Sequence, residues 1–364
     1  MKISSRKELL KVKPYVPGKP IEEVQRELGL KKVIKLASNE NCFGPSPKAV
    51  RAINRSVLNI NRYPDASSFY LKTKLAGMLG VKADNLVLGN GSDEVIVLAV
   101  KAFIEPGDEV IIADPTFLIY EIASQVQGAV IKFVPLTDGH RYDLEGMKRA
   151  VTAKTKLIFI ANPDNPSGSY VTKAELDEFF KGIREDVLVF LDEAYFEFAA
   201  YGCKNYPNGL DYLDRPNVVI GRSFSKIYGL AGLRIGYGVS DPGIISCMEK
   251  VREPFNVNLL AQEAAAAALD DKAFLNKTLS HVEGQKKFLY SEFRKLGLEY
   301  VESATNFILV DVKKDCKAVF NSLLREGVIV RDMKAWGMDT FIRVTIGLKE
   351  ENKRFVNALK QVLR

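Results

Sequence analysis

Short apolar runs alternate with helical stretches through the first two thirds of the chain, and this pattern constrains the fold more than any other feature. Each run is bounded by glycine, proline or polar residues, as is typical of strands that are covered on both faces of a sheet. The runs span residues 86–88, 110–112, 130–134, 157–160, 187–191 and 218–220. Strands that alternate with helices predict an α/β fold with a mainly parallel sheet flanked by helices.

The pattern changes after residue 254, where two helical stretches precede short strands and two further helices. Strands are expected near residues 307–312, 328–330 and 341–345. The first 40 residues contain Pro14, Pro17 and Pro20 and offer little apolar surface for a core of their own. We therefore predict a large domain over residues 41–254, a small C-terminal α+β domain over 255–364, and an N-terminal arm, 1–40, associated with the small domain.

Composition excludes several classes of function. The chain has 364 residues, is 47% hydrophobic and 27% charged, and carries a net charge of +7. Its lysines and arginines are dispersed, so neither a nucleic-acid-binding arm nor a basic face is expected. Four scattered cysteines and two histidines argue against a zinc site. Because no stretch is apolar enough for a signal peptide or a membrane span, we expect a cytoplasmic protein that does not bind membranes.

Polar residues follow several of the predicted strands, at the edge where open α/β sheets bind ligands. The first such segment is Gly-Asn-Gly-Ser-Asp-Glu at residues 89–94. Its glycine turn opens a helix whose free amides, near Gly91 and Ser92, suit a phosphate. The segment lacks the third glycine of a dinucleotide-binding motif, and a plain turn in which Ser92 or Asp93 caps the helix explains it equally well.

Three further strand ends carry an aromatic ring, an amide and a carboxylate. Phe117 follows the strand at 110–112, Asn165 lies in the segment NPDNPSG after the strand at 157–160, and Asp192 opens the segment DEAY that ends in Tyr195. Phe117 is suited to stacking on a planar ligand, and a buried Asp192 needs a cationic or hydrogen-bonding partner such as a protonated ring nitrogen. The alternatives are a core phenylalanine, an ordinary turn and a helix cap.

Lys226 follows the last predicted strand of the large domain and is the strongest candidate for a reactive group. Ser223, Ser225 and Arg234 lie beside it in sequence and are suited to binding a phosphate. A nucleophilic amine beside a phosphate site suggests pyridoxal phosphate. The alternatives are a surface lysine, or the S-x-x-K motif of penicillin-binding proteins and class A β-lactamases, whose companion motifs S-D-N and K-T-G do not occur in this chain.

Taken in order, these segments resemble the fold-type I pyridoxal-phosphate aminotransferases, and within them the histidinol-phosphate group. The matching segments are PYVPGKP, LASNENCFGPSP, RYPD, GNGSDE, DPTF, NPDNPSG, DEAY, SFSK, LAGLRIGYG and IRVTIG. They extend over essentially the whole chain, which makes the resemblance specific. Departures from the family pattern are small: Cys42 stands where proline is usual, and Ser167 stands where threonine is common.

The resemblance implies a role for each of these residues. Lys226 would hold the cofactor and act as the catalytic base, Asp192 would keep the pyridine nitrogen protonated, and Phe117 would stack on the ring. Asn165 and Tyr195 would bind the phenolic oxygen of the ring. The remaining cofactor-binding residues, mostly around the phosphate, would be Gly91, Ser92, Asp93, Ser223, Ser225 and Arg234.

The resemblance also implies a homodimer and a substrate. Tyr63 would reach the phosphate in the partner's active site. Arg343 would bind a carboxylate or a phosphate, Arg331 would be a second phosphate contact, and Tyr15 and Asn39 would lie at the pocket mouth. The implied reaction exchanges an amino group between L-histidinol phosphate and 2-oxoglutarate.

Related enzymes leave other functions open at this stage. Relatives with the same motifs transaminate phenylalanine or tyrosine, and others decarboxylate threonine phosphate. A ligand-sensing domain of a transcription regulator would need an added DNA-binding domain, for which residues before Tyr15 or after Arg343 leave no room.

Overall fold

The computed structural model describes residues 3–14 and 17–364. Its strands are β1 Ile34–Lys35, β2 Leu86–Gly89, β3 Glu109–Asp114, β4 Val130–Pro135, β5 Thr155–Ala161, β6 Leu188–Asp192, β7 Val218–Ser223, β8 Gly236–Ser240, β9 Glu299–Tyr300, β10 Phe307–Asp311, β11 Val328–Ile329, β12 Arg331–Asp332 and β13 Phe341–Thr345. Its α-helices are α1 Ile21–Leu28, α2 Pro47–Ser56, α3 Phe69–Leu79, α4 Ser92–Phe103, α5 Leu118–Gln127, α6 Leu144–Ala150, α7 Lys173–Lys181, α8 Phe196–Gly202, α9 Pro242–Lys250, α10 Leu259–Ala268, α11 Lys272–Lys295, α12 Cys316–Arg325 and α13 Lys349–Leu363. Within the described residues, none of these helices combines the length and apolar character needed to cross a bilayer.

A seven-stranded sheet forms the centre of the molecule, in the order β2-β8-β7-β6-β5-β3-β4. The strands β4, β3, β5, β6 and β7 pair in parallel, and β8 runs antiparallel to both of its neighbours. The central strands β5, β6 and β7 are almost entirely buried, because helices cover both faces of the sheet. The predicted α/β fold with a mainly parallel sheet is confirmed.

The antiparallel strand β8 was not predicted, because its glycines weaken the strand pattern. A Cβ at Gly236 would lie 2.5 Å from the backbone nitrogen of Ser92, and one at Gly238 would lie 2.8 Å from the Val95 side chain. These glycines let the start of α4 pack directly on the sheet. That packing places Ser92 beside the ends of the parallel strands.

Helices begin where local sequence signals favour a start. In α7 the Thr172 hydroxyl accepts a hydrogen bond from the Glu175 backbone at 3.3 Å, and the Glu175 carboxylate accepts one from the Thr172 backbone at 2.7 Å. In α2, Ser46 caps the helix and Pro47 occupies its first turn. The Ser46 hydroxyl also donates to Asp271, the cap of α11, so the two helix starts are joined.

The C-terminal part contains a four-stranded antiparallel sheet in the order β12-β13-β10-β9. The single strand expected at 328–330 is instead two short strands, because β11 pairs with β1 while β12 pairs with β13. The arm thus joins the C-terminal part through β1, whereas its first helical turn, Lys7–Leu10, lies against α5 beside the large sheet. The division of the chain at residues 40 and 254 stays a proposal.

Candidate active site

A cavity of about 320 Å³ opens at the carboxyl ends of the parallel strands, and we call it the central cavity. Most of the predicted cofactor residues line it: Ser92, Asp93, Phe117, Asn165, Asp192, Tyr195, Ser223, Ser225, Lys226 and Arg234. A larger groove of about 740 Å³ lies at the amino ends of the strands, but it contains none of these residues. Most of the side chains that the sequence predicts to bind the cofactor therefore lie around the central cavity.

Lys226 lies in a tight loop just after β7 and is half-buried. Its amine is 5.5 Å from the centre of the Tyr195 ring. The loop is closed by a hydrogen bond from the Leu230 backbone to the Phe224 carbonyl at 3.1 Å. Gly229, at φ +69°, packs so closely on the Gly44 carbonyl that a side chain there would collide with it. This close packing fixes the backbone from which the Lys226 side chain enters the cavity.

Asp192 ends β6 and is only 5% exposed. The Tyr120 hydroxyl donates to one of its carboxylate oxygens at 2.6 Å, and the Ala194 backbone donates to the other at 3.0 Å. Burial raises the pKa of Asp192 to about 6 despite these two bonds. Because both hydrogen-bond donors are neutral, the site suits a ligand that brings its own positive charge, such as a protonated ring nitrogen.

A set of donors suited to an anion occupies another part of the cavity. The helix α4 begins at Ser92, and its N-cap is Gly91 at φ +86°. The alternative in which Ser92 or Asp93 caps this helix is wrong, because the cap position belongs to a residue without a side chain. A Cβ at Gly91 would collide with the guanidinium of Arg234, which pairs with Asp93 at 3.1 Å. Uncapped helix amides beside an arginine favour a phosphate.

The hydrogen bonds around Tyr195 and Asn165 leave a donor on each side chain for a ligand. The Thr345 hydroxyl donates to the Asn39 side-chain oxygen at 3.0 Å, so the Asn39 amide nitrogen faces Tyr195 and donates to its hydroxyl at 2.9 Å. The Tyr195 proton is then directed elsewhere. The Asn165 oxygen accepts from Arg343, which leaves its amide nitrogen to donate. Two such donors suit a phenolate oxygen.

A buried network that was not predicted holds two of the loops together. The Thr116 hydroxyl donates to Asp164 at 2.7 Å and is 2.7 Å from the Tyr142 hydroxyl. Asp164 also accepts from the Ser167 hydroxyl at 2.7 Å, and burial raises its pKa to about 6. The network fixes the residues next to Phe117 and Asn165. The sequence signal was weak, because an aspartate in a turn ordinarily faces solvent.

Tyr120 is another residue of the site that was not predicted. It lies one helical turn after Phe117, and its ring contacts that of Phe117 edge to face at 5.6 Å. Residues three apart at the start of a helix lie on the same face, so the spacing of Phe117 and Tyr120 in the sequence could have indicated that both belong to the site. Tyr120 is among the residues that line the central cavity, and its hydroxyl donates to Asp192.

The predicted substrate residues are only partly brought together. Arg343 lies on β13, is 7% exposed and donates to the Ala37 carbonyl at 3.0 Å. Asn39 is buried and donates to the Tyr195 hydroxyl, and Arg331 lies over Trp336 at 5.1 Å. None of these three residues is among those that line the central cavity. Tyr15 lies outside the described residues.

Tyr63 does not reach the central cavity of its own chain. It is 81% exposed and stacks on Phe255 with ring centres 4.6 Å apart. Large apolar side chains on both sides of it in sequence are exposed as well: Leu58, Ile60, Phe69 and Tyr70. Exposed apolar residues gathered in this way mark a surface that another protein covers.

Comparison with known proteins identifies the family. The model for aminotransferase class I and II matches residues 31–359. A histidinol-phosphate aminotransferase from Moorella thermoacetica is 53% identical over 98% of this chain and 92% of that protein. Histidinol-phosphate aminotransferase 2 from Carboxydothermus hydrogenoformans is 49% identical over 98% of this chain and 99% of that protein.

A solved structure agrees with these relatives. The crystal structure of histidinol-phosphate aminotransferase from Sinorhizobium meliloti, in complex with pyridoxal-5'-phosphate, superposes with a TM-score of 0.91 at 31% identity. The match covers 100% of this chain and 98% of that one. With a family model over most of its length and relatives near half identity, the chain belongs to the class I and II aminotransferases, in the histidinol-phosphate aminotransferase group.

Proposed function

We propose that the protein is a pyridoxal 5′-phosphate-dependent aminotransferase that converts L-histidinol phosphate and 2-oxoglutarate to imidazole acetol phosphate and L-glutamate, a step of histidine biosynthesis. One observation carries the chemistry: the buried carboxylate of Asp192, held by two neutral donors, shares a cavity with the Lys226 amine. The relatives that match the whole chain support the substrate.

The residues of the central cavity fit this cofactor. Asp192 would pair with the ring nitrogen, Phe117 would cover one face of the ring, and the free donors of Asn165 and Tyr195 would bind its phenolic oxygen. The phosphate would lie between the start of α4 and the loop after β7, held by Gly91, Ser92, Ser223, Ser225 and Arg234, with Asp93 fixing the arginine.

When bound, the cofactor supplies an electron sink for the electron pair that remains when the Cα–H bond of the amino donor breaks. Lys226 would take that proton from Cα as a base and would then give it up to the cofactor as an acid. Asp192 would stabilise a proton on the ring nitrogen, which would keep the ring electron-poor. Tyr195 and Asn165 hold the ring orientation through its phenolic oxygen.

Arg343 is the proposed anchor for the anionic end of both substrates. Its hydrogen bonds to Ala37 and Asn165 aim the guanidinium from the C-terminal sheet toward the cofactor loop. Arg331, with its guanidinium over Trp336, would add a second positive charge for the phosphate of the amino donor. Asn39 links this region to Tyr195, and Tyr15 would complete the pocket mouth.

A comparison of amino donors tests the proposal. With 2-oxoglutarate as acceptor, we expect kcat/KM for L-histidinol phosphate to exceed that for L-phenylalanine by about 100-fold, because L-phenylalanine has no phosphate group to pair with the cationic groups of the phosphate site. Glutamate formation measures the rate for both donors. The reverse preference would make the enzyme an aromatic amino acid aminotransferase, and release of carbon dioxide from threonine phosphate without an acceptor would make it a decarboxylase.

The exposed apolar surface around Tyr63 supports a homodimer in which Tyr63 binds the cofactor phosphate of the partner's site. Symmetric dimers with self-complementary interfaces are the commonest oligomers. We place the enzyme in the cytoplasm, which agrees with its four unpaired cysteines.

Mixed dimers test the role of Tyr63. Chains with Lys226→Ala and chains with Tyr63→Ala should each be weakly active alone at limiting cofactor. When the two are co-refolded or co-expressed, about a quarter of wild-type activity should return, because half of the dimers are hybrids and each hybrid contains one site with neither change. Different affinity tags on the two chains allow hybrid dimers to be isolated, and Tyr201→Ala, which changes another exposed tyrosine, is the matched control for Tyr63→Ala. Hybrids without recovered activity would mean that Tyr63 does not act across the interface.

A further inference from the structure

Tyr120 directs its hydroxyl at the carboxylate that we assign to the cofactor ring nitrogen. The hydroxyl donates to Asp192 at 2.6 Å, on the carboxylate oxygen not bonded by the Ala194 backbone. We infer that Tyr120 is a positioning residue that holds the Asp192 carboxylate in one orientation toward the cofactor and so contributes to turnover. This inference rests on the proposed function.

The surroundings of Tyr120 leave its hydroxyl no freedom to turn away. The residue is fully buried, and its ring is stacked on Phe159 with centres 4.5 Å apart and planes 8° apart. Phe117 contacts the same ring edge to face, with planes 84° apart. A ring packed on two sides keeps one rotamer, so the hydroxyl stays at the position from which it reaches Asp192.

The proton of this hydrogen bond belongs to Tyr120. Burial raises the pKa of the Tyr120 hydroxyl well above its usual value, whereas the pKa of Asp192 is about 6. At neutral pH the phenol therefore donates to an ionised carboxylate, the stronger kind of hydrogen bond. Each oxygen of Asp192 accepts one hydrogen bond from a neutral donor, and the residue lines the central cavity.

Phe117, which would cover one face of the cofactor ring, lies at the same helix start as Tyr120. Phe117 precedes α5 and Tyr120 lies in its first turn, so a single helix start carries both the residue proposed to cover the ring and the residue that holds the carboxylate. A shift of this turn would change both contacts together. The hydroxyl, in contrast, can be removed without disturbing either ring, which makes the inference testable.

The test is a double-mutant cycle on the cofactor-loaded enzyme with Tyr120→Phe and Asp192→Asn. Tyr120→Phe keeps both ring contacts, and we expect it to lower kcat about 10-fold and to weaken cofactor binding by a similar factor, with KM for the amino donor within about twofold. In the Asp192→Asn background the same change should alter the cofactor dissociation constant by less than about twofold, because its charged partner is gone.

Tyr212→Phe is the matched control. Its hydroxyl donates to the Asp177 carboxylate, also at 2.6 Å, and its ring is also buried, but it lies away from the central cavity. We expect Tyr212→Phe to leave kcat and cofactor binding unchanged.

Equal losses from Tyr120→Phe in both backgrounds would overturn the inference, since they would indicate packing rather than action through Asp192. No loss in either background would overturn it as well. A wild-type chain that binds the cofactor but leaves L-histidinol phosphate unreacted would contradict the proposed function and not the inference about Tyr120. The double-mutant cycle could still be measured, because the cofactor dissociation constant does not depend on turnover.

Discussion

Replacing Lys226 with alanine should lower kcat by at least about 10⁴-fold, because one side chain both attaches the cofactor and moves the substrate proton. Lys226 lines a cavity in which every other proposed group is a binding or orienting residue. A single-turnover assay with L-histidinol phosphate measures the loss in the chemical step. Thermal unfolding should change little, since Lys226 is only half-buried.

A small primary amine added at high concentration should restore part of the turnover of Lys226→Ala, because it can enter the space that the side chain has left. Lys181→Ala, which removes an exposed lysine paired with Glu178, should have no effect and serves as the control. Turnover within about 10-fold of wild type in the Lys226→Ala protein would show that another group is the base.

Replacing Arg343 with alanine should lower kcat/KM by about 10³-fold for the amino donor and for 2-oxoglutarate alike. Both substrates end in an anion, and the change would leave that anion unpaired at a position where Arg343 is 7% exposed. Arg343→Lys should recover little, since an ammonium cannot reproduce the fork that contacts Ala37 and Asn165. Separate saturation curves for each substrate measure the effect.

Arg331→Ala provides the contrast for Arg343→Ala. If Arg331 contacts only the phosphate of L-histidinol phosphate, its loss should lower kcat/KM for that donor by about 10-fold to 100-fold and leave 2-oxoglutarate unaffected. Equal losses for both substrates in the Arg331→Ala protein would assign the two arginines to one shared anion site. Selective loss of the donor in Arg343→Ala would contradict the dual role of Arg343.

The sequence predicted the central cavity well because parallel strands end at a common edge. Lys226, Asp192 and Asn165 are far apart in the chain, but each follows a buried strand, and the structure brings all three to one cavity. The apolar runs located those strands, so the position of each polar residue followed from its place after a strand.

Other parts could not be predicted because the signal lies between residues distant in sequence. The hydrogen bond from Tyr120 to Asp192 joins α5 to β6, and only the packing of that helix on the sheet shows it. The strand β8 was missed because Gly236, required by its contact with Ser92, weakens the strand pattern. The proposed contact of Tyr63 with a partner subunit likewise cannot be found from a single chain.

The most direct test of the account is the visible absorbance of the purified, cofactor-loaded protein during addition of an amino donor without any acceptor. L-histidinol phosphate and L-phenylalanine are added in separate experiments. We expect rapid loss of the visible band when L-histidinol phosphate is added and its return when 2-oxoglutarate is added. Loss with L-phenylalanine alone would contradict the proposed substrate, and a protein that never shows the band would contradict the role of Lys226.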